Sequence, residues 1–557
     1  MNSTAHSSVA DVVRAHSVAN PDRVALIVEG GGVRPDVVRT YAALWANAQA
    51  LARCLQDRGA GPGSVFGILM ANHVEFVELM IAAALTSCVF VPIDPRTKGD
   101  KLAFMLRNAG VEGVFSADYA LPNLEEVLEQ VPQVRWLIAI PTEEGPGRAL
   151  WSPMAEEFSA CLEVGGQESL PPTVDPDSAM QIIHTSGTTG EPKGIVVTHR
   201  RFCATAEAAL KLFGYTSQDR LYSGLSLTHA NAQLVTLGAA LFGGMTAVLS
   251  RRFTKSRLWD ITRKYQCTTF TLLGGMTTAL YAQPPGTDDA DNPVRFVVSA
   301  GMPAALWKNF EQRFGVRILE FYGSAEGGLA VNPIDAGPIG SCGRVAPGLI
   351  YRIVDEKGQD VPKGSPGELL LRPADGTPFL IEYVGNPEAS RAKGKDGWLH
   401  MGDVVREDGE GWLFFEYRKG GGIRRNGDFI SAAFVEKVIA ESGSVEDVFV
   451  YGVPATSGAP GDKDVVAAIV PHGGAAFDAQ GLFRHCRRNL EANFVPSFIQ
   501  VVPQIPKTAS EKPQERFLID ALHKFRGQVY LECPEPTTFS SSAHEESGHE
   551  SLSKDNR

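Results

Sequence analysis

The chain is predicted to be an α/β protein with a large N-terminal layered domain that includes a β-rich subdomain. A hinge joins this to a small α+β C-terminal domain. Three observations carry the prediction. Short apolar runs alternate with helical patterns over most of residues 20–301. From about residue 338 the texture changes to short β-like runs separated by turn signals. Glycines 420–422 then stand between this region and a last α/β stretch, where three in succession suit a pivot better than a helix or strand interior.

In chain order, residues 65–70 (Val-Phe-Gly-Ile-Leu-Met) have the length and branching of a buried strand. Residues 75–85 read as an apolar helix and 89–93 as the next strand. The longest apolar stretch, residues 79–93, is too short to span a membrane and contains Thr86 and Ser87. Residues 141–177 are rich in Pro, Glu and Gly and read as a surface connection. Residues 180–183 form another strand, and the alternation resumes at 220–249 and 268–301. Runs at 351–354, 368–371 and 411–415 mark the β-rich part, taken as about 338–417. Beyond the glycines come a helix at 432–442 and a strand at 448–453. The expected units are residues 1–419, residues 420–530 and a disordered, almost wholly polar tail at 531–557.

Composition narrows the function. The net charge of −12 argues against a broad nucleic-acid footprint but leaves room for a small anion held by local cations. Glycine, 57 of 557 residues, exceeds the usual level of roughly 7% and implies many tight loops. The eight cysteines (54, 88, 161, 203, 267, 342, 486, 533) include no CxxC pair and no zinc spacing. They are expected to be thiols of a reducing compartment. The N-terminal residues have neither a basic n-region nor an apolar h-region. A cytoplasmic protein without a membrane span is the expectation.

Residues 185–194, Thr-Ser-Gly-Thr-Thr-Gly-Glu-Pro-Lys-Gly, are the densest chemical signal. Glycines let the backbone approach a ligand, and successive N–H groups in such a turn make an anion-binding concavity. Thr185, Ser186, Thr188 and Thr189 add hydroxyls, Gly187 adds freedom, and Lys193 adds a mobile charge. A polyphosphate fits. A Walker A loop does not, because Gly194 rather than Ser or Thr follows Lys193.

This loop resembles the phosphate-binding motif of the adenylate-forming superfamily of acyl-CoA synthetases, adenylation domains and luciferases. Five further segments resemble that family's motifs in the same order: 300–303 (Ala-Gly-Met-Pro), 321–327 (Phe-Tyr-Gly-Ser-Ala-Glu-Gly), 398–403 (Trp-Leu-His-Met-Gly-Asp), 418–431 and 506–512 (Pro-Lys-Thr-Ala-Ser-Glu-Lys). Residues 424–431 look most like the crotonobetaine/carnitine-CoA ligase branch. The resemblance implies an ATP-dependent acid–thiol ligase that forms an acyl-adenylate, releases pyrophosphate and passes the acyl group to CoA. ATP, Mg²⁺ and CoA are the implied cofactors, and a carboxylic acid is the implied substrate.

Residue by residue, the resemblance places Lys512 between the carboxylate and the phosphate, and Glu326 on magnesium as a hard oxygen ligand. It places Ala300, Gly301, Met302, Glu320, Phe321, Tyr322, Gly323, Ser324 and Ala325 along the nucleotide, with Asp403 on the ribose and Arg418 beside it. His229, counted with Lys512 and Glu326 as catalytic, would also wall the acyl pocket with Asn231, Gly274, Gly275 and Met276. Arg424, Arg425 and Gly427 would face CoA. From their neighbours alone, Glu326 equally suits a surface position and His229 a satisfied structural one. Gly274 and Gly275 could leave room for a bulky acyl group or only pack against a helix.

Three positions depart from the family pattern. Ala325 stands for a threonine, leaving Ser324 to compensate; Gly421 stands for the hinge aspartate; and Glu511 stands for the glycine before the lysine. Alternatives therefore stay open: a free-standing enzyme that loads a carrier protein, a luciferase-like oxygenase, or a degenerate nucleotide-binding protein.

Overall fold

The computed structural model describes residues 7–531 except 146, 164–173, 185–191, 420–421, 426–427, 431, 457–461, 473–476, 509–510 and 525–527. Two large sheets dominate the first three-quarters of the chain. One has nine strands, in the order Arg344–Val345, Gly327–Asn332, Arg317–Ser324, Phe296–Ala300, Thr269–Leu273, Arg220–Ser223, Thr246–Ser250, Val24–Glu29 and Val37–Thr40. Its interior, from Arg317–Ser324 to Val24–Glu29, is wholly parallel. The other has seven strands, in the order Ala155–Glu157, Trp136–Ile140, Gly113–Ala117, Val65–Leu69, Val89–Ile93, Ala179–His184 and Gly194–Thr198.

The predicted strand–helix–strand at 65–93 is present with its edges moved by a residue. The helix Val74–Thr86 is apolar apart from Glu75, Glu78 and the terminal Thr86, and every residue but Glu75 is buried. It stops where Ser87 adopts a left-handed backbone (φ 55°) and Cys88 N–H returns to the Ala83 carbonyl. The β-rich region forms a four-stranded antiparallel sheet of Leu349–Val354, Gly367–Pro373, Leu399–Glu407 and Leu413–Arg418. The C-terminal unit packs the helix Ala432–Glu441 on a mixed sheet of Val445–Pro454, Lys463–Pro471, Phe498–Val501 and Val529–Leu531. It seats on the large domain partly through Lys255, whose Nζ lies 3.0 Å from the Glu446 carboxylate and 3.1 Å from its carbonyl.

Several expectations need correction. The 141–177 surface connection carries two short elements that the sequence reading does not place. Ala155–Glu157 pairs with Trp136–Ile140 as an edge strand, and the helix Ser159–Leu162 follows. Three residues reading Ala-Glu-Glu are too short and polar to show a strand period. Cys161 on that helix is bonded to Cys54, with Cα atoms 5.2 Å apart, so these two are not free thiols. Cysteines 107 residues apart give no spacing signal. Cys88, Cys203, Cys267, Cys342 and Cys486 are buried thiols as expected. Leu531, assigned to the tail, closes the last strand. The tail at 532–557 and glycines 420–421 lie outside the described residues. Among the described residues, no helix is long and apolar enough to cross a membrane.

Candidate active site

Four neighbouring parallel strands end at one edge of the nine-stranded sheet, and each delivers a predicted segment there. Arg220–Ser223 leads to His229, Thr269–Leu273 to Gly274, Phe296–Ala300 to Gly301, and Arg317–Ser324 to Glu326. The carboxyl edge of a parallel sheet is where α/β proteins gather ligands.

Backbone contacts key these segments together. A Cβ on Gly274 would lie 2.7 Å from the Gly301 carbonyl oxygen, and Gly301 itself has φ +94°, so both positions need glycine. Glu320 is 4% exposed, and its carboxylate accepts the N–H groups of Gly301 (2.5 Å) and Met302 (3.1 Å). Burial raises its pKa to about 8 against the pull of those two donors. Glu320 thus shapes the 300–302 turn from behind. Phe321 is buried against Phe213, and Met276 is buried in the main core.

Asp403 is the meeting point of three elements. Its Oδ2 accepts the Tyr322 hydroxyl at 2.5 Å, and its Oδ1 accepts Arg418 Nη1 at 2.9 Å. Burial, then the Asp403 charge, pushes the Tyr322 phenol far above its usual range. From the small domain, Lys512 comes within the influence of the same pair. Burial and then Arg418 lower its pKa, and Asp403 opposes them. The preceding residue, Glu511, has a left-handed backbone (φ 57°). The missing side chain of Gly275 faces this loop, with Glu511 O at 3.9 Å and Pro513 Cγ at 3.8 Å. The two glycines are therefore explained by packing: Gly274 on Gly301, and Gly275 on the small domain.

Glu326 sits in a second polar group. Its Oε1 accepts the Tyr383 hydroxyl at 2.7 Å, and Lys193 Nζ stands 5.4 Å over the Tyr383 ring. Burial works against ionisation of Glu326, but Lys393 and the Tyr383 hydroxyl outweigh it and its pKa falls. Arg201 reaches in from the helix His199–Leu212 and donates to the Ala325 carbonyl. The Ser324 hydroxyl donates to the Gly327 carbonyl (3.1 Å) and also helps to lower the Glu326 pKa. Among the described residues, no three His, Cys, Asp or Glu side chains cluster to cage a metal. A single carboxylate held ionised by its neighbours nevertheless fits magnesium, which takes one or two carboxylates plus phosphate oxygens.

His229 is half-buried, with its Nε2 inside, and neutral. Burial lowers its pKa to about 4, opposed by Asp94 and helped by Arg96 and Lys101. Among the described residues its Nε2 has no hydrogen-bond partner, nor have Asn231 Oδ1 and Gln233 Oε1. Residues Asn231–Gly238 wind as a π-helix, a form often met at functional sites. Arg425 is committed within the small domain, its Nη1 donating to the carbonyls of Asn493 (3.3 Å) and Val495 (2.7 Å). Thr185, Ser186, Gly187, Thr188, Thr189 and Gly427 lie outside the described residues, as does the Arg424 side chain.

Tyr383, Lys393 and Arg201 did not emerge from the sequence. Tyr383 precedes the turn Val-Gly-Asn-Pro, a weak cue; the other two are ordinary helix cations locally.

Residues 13–376 match the family of AMP-binding enzymes, and 435–512 match the AMP-binding enzyme C-terminal domain. The chain is 29% identical to human (Homo sapiens) long-chain fatty acid transport protein 1 over 526 residues, covering 89% of this chain and 79% of that one. It is 28% identical to crotonobetaine/carnitine–CoA ligase of Salmonella typhi over 501 residues, covering 88% and 95%. Its fold is similar to that of the anthranilate CoA ligase AuaEII in complex with anthranoyl-AMP, with a TM-score of 0.80 at 22% identity over 93% and 98% of the two chains. With both parts matched in order, the chain belongs to the AMP-binding enzyme family, within the adenylate-forming superfamily that its motifs resemble.

Proposed function

We propose that this enzyme, an AMP-forming acyl-CoA ligase, activates a carboxylic acid that carries polar groups. The carboxylate attacks the α-phosphorus of ATP, giving acyl-AMP and pyrophosphate; the CoA thiol then takes the acyl group and releases AMP. The observation that carries this reading is that the 511–513 loop of the small domain packs against Gly275 of the large one, bringing Lys512 under the influence of Asp403 and Arg418.

The first half-reaction brings two anions together, so it needs positioned positive charge more than acid–base chemistry. Lys512 would bridge the carboxylate and the phosphate. Asp403, fixed by Tyr322 and Arg418, would accept the ribose hydroxyls. Lys193 and the 185–189 loop would screen the departing pyrophosphate. Glu326 would hold magnesium, which supplies charge neutralisation when bound. For the second half, residues 1–419 and 420–530 would turn about the glycines at 420–422, bringing Arg424 and Gly427 toward CoA. Arg425, tied to two carbonyls, would brace that region.

The polar acid is supported by the unpartnered atoms of His229, Asn231 and Gln233. An all-apolar acyl chain would leave such groups unsatisfied, at about 1–3 kcal/mol each. The crotonobetaine/carnitine–CoA ligase relative agrees with this choice.

The test is mass spectrometry of the enzyme with ATP, Mg²⁺, CoA and pooled carboxylic acids. Acyl-CoA formed preferentially from polar short acids is expected. Preference for long saturated acids would overturn the substrate class. Acyl-AMP without acyl-CoA would overturn CoA as acceptor and point to a carrier-protein thiol.

A further inference from the structure

Arg201 stands apart from the other cations of the site. It lies in the first turn of the helix His199–Leu212, whose N-cap Thr198 accepts the Arg201 N–H at 3.2 Å. Its guanidinium crosses 124 residues of sequence to donate Nη2 to the Ala325 carbonyl. Among the described residues, that is its one side-chain hydrogen bond, and it closes no salt bridge with a carboxylate. Glu326 and Tyr383 are near enough to act on it electrostatically, yet burial dominates and pulls its pKa down to about 10.

A guanidinium has five donors in a planar fork, and a largely desolvated one is costly unless its charge is met. Among the described residues only one donor is used. The main chain it grips is residue 325, which as alanine has no side-chain donor of its own, and the Ser324 hydroxyl is directed to Gly327. Glu326 is already engaged by Tyr383, and Lys193 lies over the same ring. An anion of several oxygens beside Glu326 would match the fork's remaining donors.

We propose that Arg201 is a phosphate-binding residue, anchored by the Ala325 carbonyl and offering its remaining N–H groups to the pyrophosphate end of the nucleotide. The proposal rests on the nucleotide-binding reading above and adds a residue that none of the sequence motifs contains. Arg201 would act as a fork, gripping main chain with one tine and phosphate oxygens with the others. A lysine at this position would keep the charge and lose the geometry.

The experiment is equilibrium binding of MgATP, inorganic pyrophosphate and adenosine to wild-type enzyme, Arg201→Gln and Arg201→Lys, with a melting curve for each. Arg201→Gln is expected to weaken MgATP and pyrophosphate by at least about tenfold, the scale of one charge-assisted contact, while adenosine changes little. Arg201→Lys is expected to fall between the two. Equal binding of pyrophosphate by wild type and Arg201→Gln would overturn the proposal. So would a parallel loss of adenosine, which marks structural damage. Should Arg201→Gln not melt cooperatively, Arg201→Lys decides, and pyrophosphate binding at wild-type strength would overturn the assignment. Wild-type enzyme that binds no MgATP would instead overturn the nucleotide reading itself.

Discussion

The Tyr383 hydroxyl donates to Oε1 of Glu326 at 2.7 Å, joining the loop after one sheet to the end of a strand in another across 57 residues. Burial opposes ionisation of this carboxylate, and the tyrosine and Lys393 restore it. Its negative charge is thus maintained chiefly by two neighbours, Lys393 and Tyr383, that the motif does not include.

Tyr383→Phe removes that donor. The depressed pKa of Glu326 means that its ionised form is lost as pH falls through the folded value. Without the hydroxyl the folded pKa rises, so the acid limb of the pH–rate profile should move to higher pH. Turnover at neutral pH should fall by about tenfold or more, the scale of one hydrogen bond to a charged group. The profile of kcat/KM for ATP checks both.

Lys512→Ala should abolish pyrophosphate exchange, by at least about 10²-fold, while MgATP still binds. Persistent exchange would remove Lys512 from the chemistry.

Ala325→Thr should retain or raise the adenylation rate, because it adds a hydroxyl at a position whose carbonyl is already anchored by Arg201. A large loss in pyrophosphate exchange would contradict this.

Gly274→Ala would put a Cβ 2.7 Å from the Gly301 oxygen, whereas the nearest atom to a Cβ on Gly275 is 3.8 Å away. The first should cost about 1–3 kcal/mol in stability and weaken AMP binding. The second should melt like wild type. Paired melting curves separate them.

Glu436 accepts the Val450 N–H at 2.9 Å and faces the Lys507–Asp447 pair, itself closed at 2.6 Å. Burial raises its pKa to about 8, above the roughly 4.3 of a free glutamate. The folded chain therefore keeps a proton that the unfolded chain releases, and stability falls as pH rises between those values. Glu436→Gln should leave Tm unchanged near pH 5 and raise it by on the order of a few degrees near pH 8.5.

Much of this was legible because it is local. The runs at 65–70, 89–93 and 180–183 carry their strand identity in length and branching, and the motif residues fall at strand ends as a parallel sheet requires. What was hidden depends on meetings between distant segments. Nothing near Arg201 indicates Ala325, nothing near Cys54 indicates Cys161, and Glu320 gives no sign that it supports a turn 19 residues away. The two glycines at 274–275 show the same limit. Their composition was plain, but whether the space served a ligand or a neighbour depended on where Gly301 and Pro513 came to rest.

The contact between Gly275 and the 511–513 loop also bears on timing. Were the acid to enter past Gly275, seating the small domain with its Lys512 would close that way in. Loading and activation would then be successive events, the acid boarding before the small domain seats. Such an order would make a glycine, with no side chain to obstruct passage, the threshold of the gate.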